Sequence, residues 1–220
     1  MRDLKNKIFS ILQGDYPGFL KKLLDYPPYK VINILFSGFL SFDEKIKWHS
    51  VGGFGFLLNE IAEENFEKAR IIMRRCMWML NDESGGIGWG VPEAMAEAMV
   101  NCYSLAKEYH KIFLSYLFEE KDGKDNFLEF LPLRRGGFWG LARLCSRYPT
   151  VFKNNSKLFD RLDQSLKTNK DPYIISYTFL ALKALKENFL FECEFKSAIK
   201  IFWNYKFYKI RNLKELGDLL

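Results

Sequence analysis

The sequence contains few of the residues from which metal and disulfide sites are built. It has two histidines and four cysteines, and consecutive cysteines lie 26, 43 and 48 residues apart. These distances are too long for zinc or redox motifs, so we predict reduced cysteines packed in the core. Neither His49 nor His110 belongs to a metal-ligand or triad pattern, and no serine has the context of a nucleophile elbow. These absences argue against hydrolytic and redox enzymes and predict a protein without catalytic residues, metal or cofactor.

The sequence also lacks a long hydrophobic run. Its longest apolar-rich run, residues 31–42, is too short to span a membrane and is interrupted by Asn33, Ser37 and Gly38. The N-terminal residues alternate between charged and apolar side chains, unlike the apolar block of a signal peptide. We therefore expect a cytoplasmic protein that does not bind a membrane. Because 48% of its residues are apolar, the chain can bury a core of its own.

Basic residues are concentrated near the C-terminus. Residues 134–220 carry 17 basic and 8 acidic side chains, a balance of +9, whereas the whole chain has a net charge of +6. The segment 203–211, WNYKFYKIR, alternates aromatic and basic residues and can form an extended arm or a short strand. Such a pattern suits stacked nucleic-acid bases, but it equally suits the cap of a repeat protein with lysines on solvated faces.

Apolar residues three and four positions apart predict helices along almost the whole chain. Several starts have capping signals: Ser41 with Glu44, Pro92 in a first turn, and Asp171 before Pro172. The predicted helices cover residues 3–13, 17–25, 28–40, 42–62, 65–80, 91–108, 109–119, 134–148, 156–168, 171–187 and 193–204.

The helices that start near residues 42, 91, 134 and 171 are 49, 43 and 37 residues apart, which brackets the period of two-helix solenoid repeats. The chain resembles HEAT-like repeat proteins, and in particular a bacterial HEAT-like family without an established activity. This resemblance is carried by WHSVGGFG (48–55), MWMLNDESGGIGWGVPEAM (77–95), GGFWGLARL (136–144), Pro92-Glu93 before AMAEAM, and Asp171-Pro172 before YIISYTFLALKAL. It implies an all-α, right-handed solenoid of stacked antiparallel helix pairs. That solenoid would form one domain over residues 1–220, with residues 203–220 as a C-terminal cap or arm.

Two predicted helices carry arginine and tryptophan one turn apart, outside their apolar stripes. Such ladders can bind anionic or planar groups, or they can be a structural stack between neighbouring repeats. Two acids one turn apart, Glu93 and Glu97, can join repeats through arginines or serve as a carboxylate in a cleft. The loop at 85–90 lacks the GxGxxG spacing of a nucleotide site. The candidate binding residues are Trp48, Arg74, Arg75, Trp78, Glu83, Trp89, Glu93, Glu97, Arg135, Trp139 and Arg143.

These features predict a non-catalytic scaffold or adaptor. It would bind a macromolecular partner, most readily a protein, through a curved helical surface. The alternative is a nucleic-acid-binding HEAT-like protein, with base-excision activity like that of HEAT-like DNA glycosylases as one form of it. That likeness concerns architecture only. A third hypothesis places a small molecule in a glycine-lined groove between Trp48 and Trp89.

Overall fold

The computed structural model describes residues 2–82, 88–119, 126–186 and 189–217, and these are mostly helical. The predicted all-α fold is confirmed only in part, because a small antiparallel sheet lies near the C-terminus. The elements are α1 (Arg2–Leu12), α2 (Gly18–Leu23), α3 (Pro28–Gly38), α4 (Glu44–Glu64), α5 (Phe66–Asn81), α6 (Val91–Asn101), α7 (Tyr103–Ser115), α8 (Leu131–Arg147), α9 (Pro149–Phe152), α10 (Ser156–Thr168), α11 (Pro172–Leu185), β1 (Glu194–Trp203), β2 (Lys206–Asn212) and α12 (Leu213–Gly217). Two compact units, Met1–Ser115 and Tyr116–Leu220, divide the chain.

In the first unit, α4 is the central helix, and α3, α5 and α6 pack against it. It begins after Asp43, whose carboxylate accepts hydrogen bonds from the backbone N–H groups of Lys45 (2.8 Å) and Ile46 (3.3 Å). The predicted capping box of Ser41 and Glu44 was wrong, because Ser41 Oγ instead accepts from the backbone N–H of Asp43 at 3.2 Å. The N-cap is thus two residues later than its sequence signal suggested.

Glycines let α4 and α6 approach until their backbones touch. A Cβ atom added at Gly55 would lie 2.6 Å from the carbonyl carbon and oxygen of Glu97, and one at Gly53 would lie 2.9 Å from Leu23 Cδ1. Gly53 and Gly55 therefore permit close packing of α4 against its neighbours. As a result, α6 is enclosed: every residue from Val91 to Val100 is buried.

Helix α6 begins as its sequence predicts and ends earlier. Gly90 is the N-cap in the left-handed region (φ 72°), and Pro92 occupies the first turn. The predicted helix over 91–108 was wrong in its C-terminal part, because Cys102 is extended (φ −125°, ψ 104°). Helix α7 then starts at Tyr103 and packs against α6 as the second member of a pair.

In the second unit, α8 and α11 form the main helix pair, and α10 packs against α11. Asp171 caps α11 as predicted, accepting hydrogen bonds from the backbone N–H groups of Tyr173 (3.1 Å) and Ile174 (3.0 Å). The central helices α4, α6, α8 and α11 begin at residues 44, 91, 131 and 172, which are 47, 40 and 41 residues apart. This spacing matches two-helix repeats more closely than the predicted starts did. The stacking of such repeats into a right-handed solenoid stays a prediction.

The last part of the chain is a β-hairpin followed by α12. The helix predicted over residues 193–204 was wrong: this segment is β1, which pairs with β2 in the register Ile199↔Ile210, Ile201↔Tyr208 and Trp203↔Lys206. Asn204 and Tyr205 form the two-residue turn with positive φ angles of 46° and 60°. The short strand expected within residues 203–211 is confirmed, because Lys206–Asn212 form β2.

Candidate binding sites

Helix α5 presents apolar and basic side chains together on its outer face. Ile71 and Trp78 are two turns apart and are 56% and 62% exposed, with Arg74 and Arg75 exposed between them. These four residues follow the spacing i, i+3, i+4, i+7, which places them on one side of a helix. We call them the α5 stripe. The opposite side of α5 is buried through Ala69, Ile72, Met73, Cys76 and Leu80.

Carboxylates hold the arginines at one end of the α5 stripe. Nη2 of Arg74 donates to Oε1 of Glu67 at 2.6 Å, and Arg70 donates to Glu108 at 2.7 to 3.0 Å. Hydrogen bonds from Arg74 and Arg70 lower the pKa of Glu67. Arg74 thus pairs with Glu67 of its own helix and not with Glu93, one of the acids considered from the sequence. The contact of Arg70 with Glu108 joins α5 to α7.

Arg75 is held differently, by a neutral amide and an aromatic ring. Its Nη1 donates to Oδ1 of Asn33 at 2.6 Å, and its guanidinium carbon lies 4.1 Å from the ring centroid of Phe36. A cation over an aromatic face keeps its charge, and the amide oxygen satisfies only one of its donors. The Arg75 guanidinium is therefore positioned on α3 without being neutralised by Asn33.

Glu93 is a buried carboxylate near the start of α6. It is 5% exposed, its Oε1 lies 3.8 Å from Nζ of Lys47, and its Oε2 has no hydrogen-bond partner among the described residues. Burial raises the pKa of Glu93, and the charge of Lys47 opposes that shift. Lys47 also lies over the ring of Trp48, with Nζ 5.4 Å from the centroid. Lys47, which the sequence did not single out, thus joins Glu93 to Trp48.

Glu97 and Trp89 have different surroundings. Glu97 is 1% exposed, and Nδ2 of Asn101 donates to its carbonyl oxygen at 2.8 Å and to its Oε2 at 3.4 Å. Trp89 is 40% exposed in the turn before α6, whereas Trp48 is half-buried on α4. Glu83 lies outside the described residues. Packing against α4 accounts for the burial of Glu97, because Gly55 contacts its backbone.

In the second unit, Arg135 joins two helices. Its Nη2 donates to Oδ2 of Asp171 at 2.6 Å, its Nε donates to Oδ1 at 3.2 Å and to Oδ2 at 3.0 Å, and its guanidinium carbon lies 4.5 Å from the ring centroid of Tyr173. Asp171 therefore both caps α11 and pairs with α8. Two parallel hydrogen bonds from one guanidinium to one carboxylate fix the relative position of the groups they join. Arg135 therefore has a structural role, because it joins α8 to the start of α11.

Trp139 belongs to the core of the second unit. It is 2% exposed, and its Nε1–H donates to the carbonyl oxygen of Phe202 at 2.9 Å. The expectation that Trp139 lies outside the apolar side of its helix was wrong, because β1 packs against this side chain and accepts the hydrogen bond of its indole. Arg143 donates to Asn204 at 3.1 Å, and its guanidinium carbon is 5.8 Å from the ring of Trp203. It thus contacts the hairpin turn.

A groove of about 910 Å³ lies in the second unit, between α8, α10 and the segments on either side of residues 120–125. The sequence did not point to it, because its lining comes from distant positions and has no motif. The residues that matter for its chemistry are Phe118, Phe127, Arg134, Phe138, Lys157 and Arg161. Each of the two arginines stacks on a phenylalanine, Arg134 at 5.0 Å from the centroid and Arg161 at 5.4 Å.

The cysteines contribute packing rather than chemistry. Cys76, Cys102 and Cys145 are buried as predicted, whereas Cys193 is only partly covered. Burial raises the pKa of Cys76 to about 12 and also raises that of Cys145, so these thiols stay protonated at neutral pH. Within the described ranges, no three His, Cys, Asp or Glu side chains are grouped as a metal site requires.

Across the described helices, none has both the length and the apolar content needed to cross a membrane. Comparison with family models, curated proteins and solved structures finds no match to this chain. Among the described residues, the α5 stripe combines an exposed tryptophan with exposed arginines on one helix face.

Proposed function

We propose that this chain is a non-catalytic scaffold of the HEAT-like kind that binds a protein partner through the α5 stripe. The exposure of Trp78 and Ile71 on the same helix face as Arg74 and Arg75 carries this proposal. Single exposed apolar residues are ordinary on protein surfaces, but tryptophan and arginine together are the residues most enriched where binding energy is concentrated. The intrahelical and interhelical bonds of the arginines hold the stripe ready for a partner, which reduces the entropy lost on binding.

Charge defines the partner further. Arg70 and Arg74 already have carboxylate partners, whereas Arg75 has the neutral oxygen of Asn33. A partner segment that covers Trp78 with an apolar side chain and brings an Asp or Glu to Arg75 fits both features. An amphipathic helix with an acidic residue beside its apolar face has this chemistry.

Affinity capture with matched variants tests the proposal. Trp78→Ala removes the largest exposed side chain of the α5 stripe, and Phe42→Ala removes a fully exposed aromatic residue (104%) elsewhere in the same unit. Each surface change is expected to alter the unfolding free energy by less than about 0.5 kcal/mol. We expect Trp78→Ala and Ile71→Ala to lose the same specific protein partners and Phe42→Ala to retain them. Equal recovery of partners by all four proteins would contradict the proposal.

Nucleic-acid binding is the second candidate, and the β-hairpin is the feature that favours it. Lys200 and Lys209 are directly opposite each other across the two strands, an arrangement of like charges that costs stability. Phe207 is 37% exposed, and Nζ of Lys200 lies 4.0 Å from its ring centroid. An exposed aromatic ring between lysines is the combination that binds single strands through stacking and phosphate contacts.

Titration of a labelled single-stranded oligonucleotide at low and high salt tests this candidate. We expect binding that weakens as salt rises, and a weaker affinity for Lys209→Glu than for the control Lys214→Glu on α12. No binding at low salt would eliminate the candidate. Binding without release of an alkylated base would leave a binding module rather than a base-excision enzyme.

A further inference from the structure

A groove lies between α1 and α3 in the first unit. Its volume, about 860 Å³, is within the range of roughly 300 to 1,000 Å³ that ligand pockets occupy. The lining comes from the first turn of α1 and from one face of α3, where the residues follow the spacing i, i+3, i+4, i+7. It consists of Arg2, Leu4, Lys5, Lys30, Asn33, Ile34 and Ser37. We call it the α1–α3 groove.

The lining of the α1–α3 groove contains three cationic side chains and no acidic one. Arg2 and Lys5 are neighbours on α1, three positions apart, and Lys30 comes from α3. Asp3, the acid nearest in sequence, is not part of the lining, and its Oδ2 lies 3.0 Å from Nζ of Lys7. No acid among the described residues forms an ion pair with any of the three lining cations. The lining thus has a net charge of about +3 and attracts anions.

The surroundings of two of these cations leave their charges in place. Nζ of Lys5 lies 5.1 Å from the ring centroid of Phe9, and a cation over an aromatic face is not neutralised. Lys30 is in the first turn of α3, which contains no acidic residue, so its charge adds to the positive end of the helix dipole. An anion in the groove would offset this unfavourable arrangement.

The neutral polar side chains of the groove already have partners on α3. Nδ2 of Asn33 donates to the carbonyl oxygen of Tyr29 at 3.0 Å, and Oγ of Ser37 donates to the carbonyl oxygen of Ile34 at 2.7 Å. Recognition of an anion therefore depends mainly on the three cations. Lysine is a common phosphate binder in this role, in which it acts as a point charge, and arginine adds forked donors.

The apolar part of the groove is narrow. Leu4 and Ile34 are its apolar side chains, and the methylene stems of the neighbouring lysines extend this surface. A helix of a partner protein would need a row of several apolar anchors, whereas one alkyl chain needs a single apolar strip. A wholly hydrophilic anion would leave that strip uncovered. The lining is thus complementary to a ligand with one apolar chain and an anionic head.

We propose that the α1–α3 groove binds a single-chain amphiphile whose head group is a phosphate monoester. The alkyl chain packs against Leu4 and Ile34, and the phosphate oxygens accept hydrogen bonds from Arg2, Lys5 and Lys30. A phosphate monoester carries a charge of about −1.5 to −2 at neutral pH and has three acceptor oxygens, so it matches three cations better than a carboxylate does. The site does not depend on the protein-binding function of the α5 stripe.

Calorimetric titration of the full chain with four probes tests the proposal, with the dodecyl probes kept below their micelle-forming concentrations. Dodecyl phosphate has both parts of the proposed ligand. Dodecanoate has an apolar chain with a single negative charge, dodecyl maltoside has the chain without a charge, and inorganic phosphate has the head group without a chain. We expect one dodecyl phosphate to bind per protein, more tightly than dodecanoate and at least about tenfold more tightly than the other two probes.

Two results of these titrations would overturn the proposal. One is an affinity for dodecyl phosphate that is no higher than the affinity for any of the other three probes, which includes the absence of binding. The other is binding to phosphatidic acid vesicles without binding to dissolved dodecyl phosphate, because the partner would then be a membrane surface.

Charge reversal at Lys30 assigns the binding to the groove. Lys30→Glu is expected to weaken binding of dodecyl phosphate at least about tenfold, whereas Lys30→Arg keeps the charge and most of the affinity. An acid in the first turn of a helix is favourable, so we expect Lys30→Glu to stay folded, which circular dichroism checks.

Lys22→Glu is the matched control. It changes the net charge by the same amount, and Lys22 is exposed on α2 in the same unit and does not line the groove. We expect it to bind dodecyl phosphate as the parent chain does. Unchanged affinity of a folded Lys30→Glu variant, or an equal loss in Lys22→Glu, would overturn the proposal.

Discussion

Substitution of Gly55 by alanine probes the close packing of α4 and α6. An added Cβ would lie 2.6 Å from two backbone atoms of Glu97 and 2.8 Å from its Cβ. Backbone atoms cannot rotate away as the end of a side chain can, so one of the two helices must move. Because α6 is buried along almost its whole length, this movement disturbs many other contacts.

The expected loss is the difference between two effects. Overpacking in a core typically costs about 1 to 3 kcal/mol, and the contact with the backbone of Glu97 places Gly55→Ala at the upper end. Alanine is favoured over glycine inside a helix by about 1 kcal/mol, which offsets part of this cost. We therefore expect Gly55→Ala to lower the unfolding free energy by about 2 kcal/mol.

Two other glycines serve as controls for this substitution. At Gly53 the new Cβ would meet Leu23 Cδ1 at 2.9 Å, and that methyl group can rotate away. At Gly18 it would meet nothing within 4 Å. We expect Gly53→Ala to lose less than about 1 kcal/mol and Gly18→Ala to change stability by less than about 0.5 kcal/mol. Urea unfolding followed by tryptophan fluorescence gives all three values. A Gly55→Ala variant as stable as the parent chain would refute the close approach of the two helices.

Three further predictions concern buried polar groups. Burial raises the pKa of Glu93 above 4.5 in the folded chain, so the folded chain binds this proton more tightly than the unfolded chain does. The unfolding free energy therefore falls as pH rises from about 4.5 through the folded-state pKa. Glu93→Gln removes this dependence, and its stability relative to the parent chain should increase with pH across that window. Asp171→Ala removes both the cap of α11 and the ion pair with Arg135, so it should lower the unfolding free energy by about 2 kcal/mol. Arg135→Ala removes the ion pair alone and should lower it by about 1 kcal/mol. Equal losses would contradict the double role of Asp171. Trp139→Phe should cost about 2 kcal/mol by removing a buried hydrogen bond and ring volume, and a loss under about 0.5 kcal/mol in urea unfolding would contradict its place in the core.

Local signals in the sequence predicted the helices well where the chemistry of the cap is local. Asp171 before Pro172 fixes the start of α11 because the cap needs only the next few backbone N–H groups. The strand β1 was mistaken for a helix because EFKSAIKIFW has apolar residues three and four positions apart, while its strand conformation depends on pairing with β2. Strand pairing is a contact between segments, so a short local pattern does not distinguish it from a helix.

The exposure of the candidate site residues likewise depends on tertiary contacts that the local sequence does not reveal. Trp78 and Trp139 both lie one turn after an arginine, yet the first is 62% exposed and the second 2% exposed. The difference comes from what covers each helix, since β1 provides the acceptor for the Trp139 indole. Likewise, the partners of Arg74 and Arg135 could not be selected from the sequence, which contains several acids at suitable helical positions. Lys47 beside Glu93, and the arginines of the groove in the second unit, became evident only from packing.

Photo-crosslinking from the α5 stripe tests the protein-binding account most directly. A benzophenone amino acid in place of Trp78 puts a reactive group at the centre of the proposed contact, and the same group in place of Phe42 gives a control that is even more exposed. The account predicts a discrete protein crosslink from position 78 that is absent from position 42 and is lost when Ile71 is also changed to alanine. No crosslinked protein at position 78, or the same products from both positions, would contradict it.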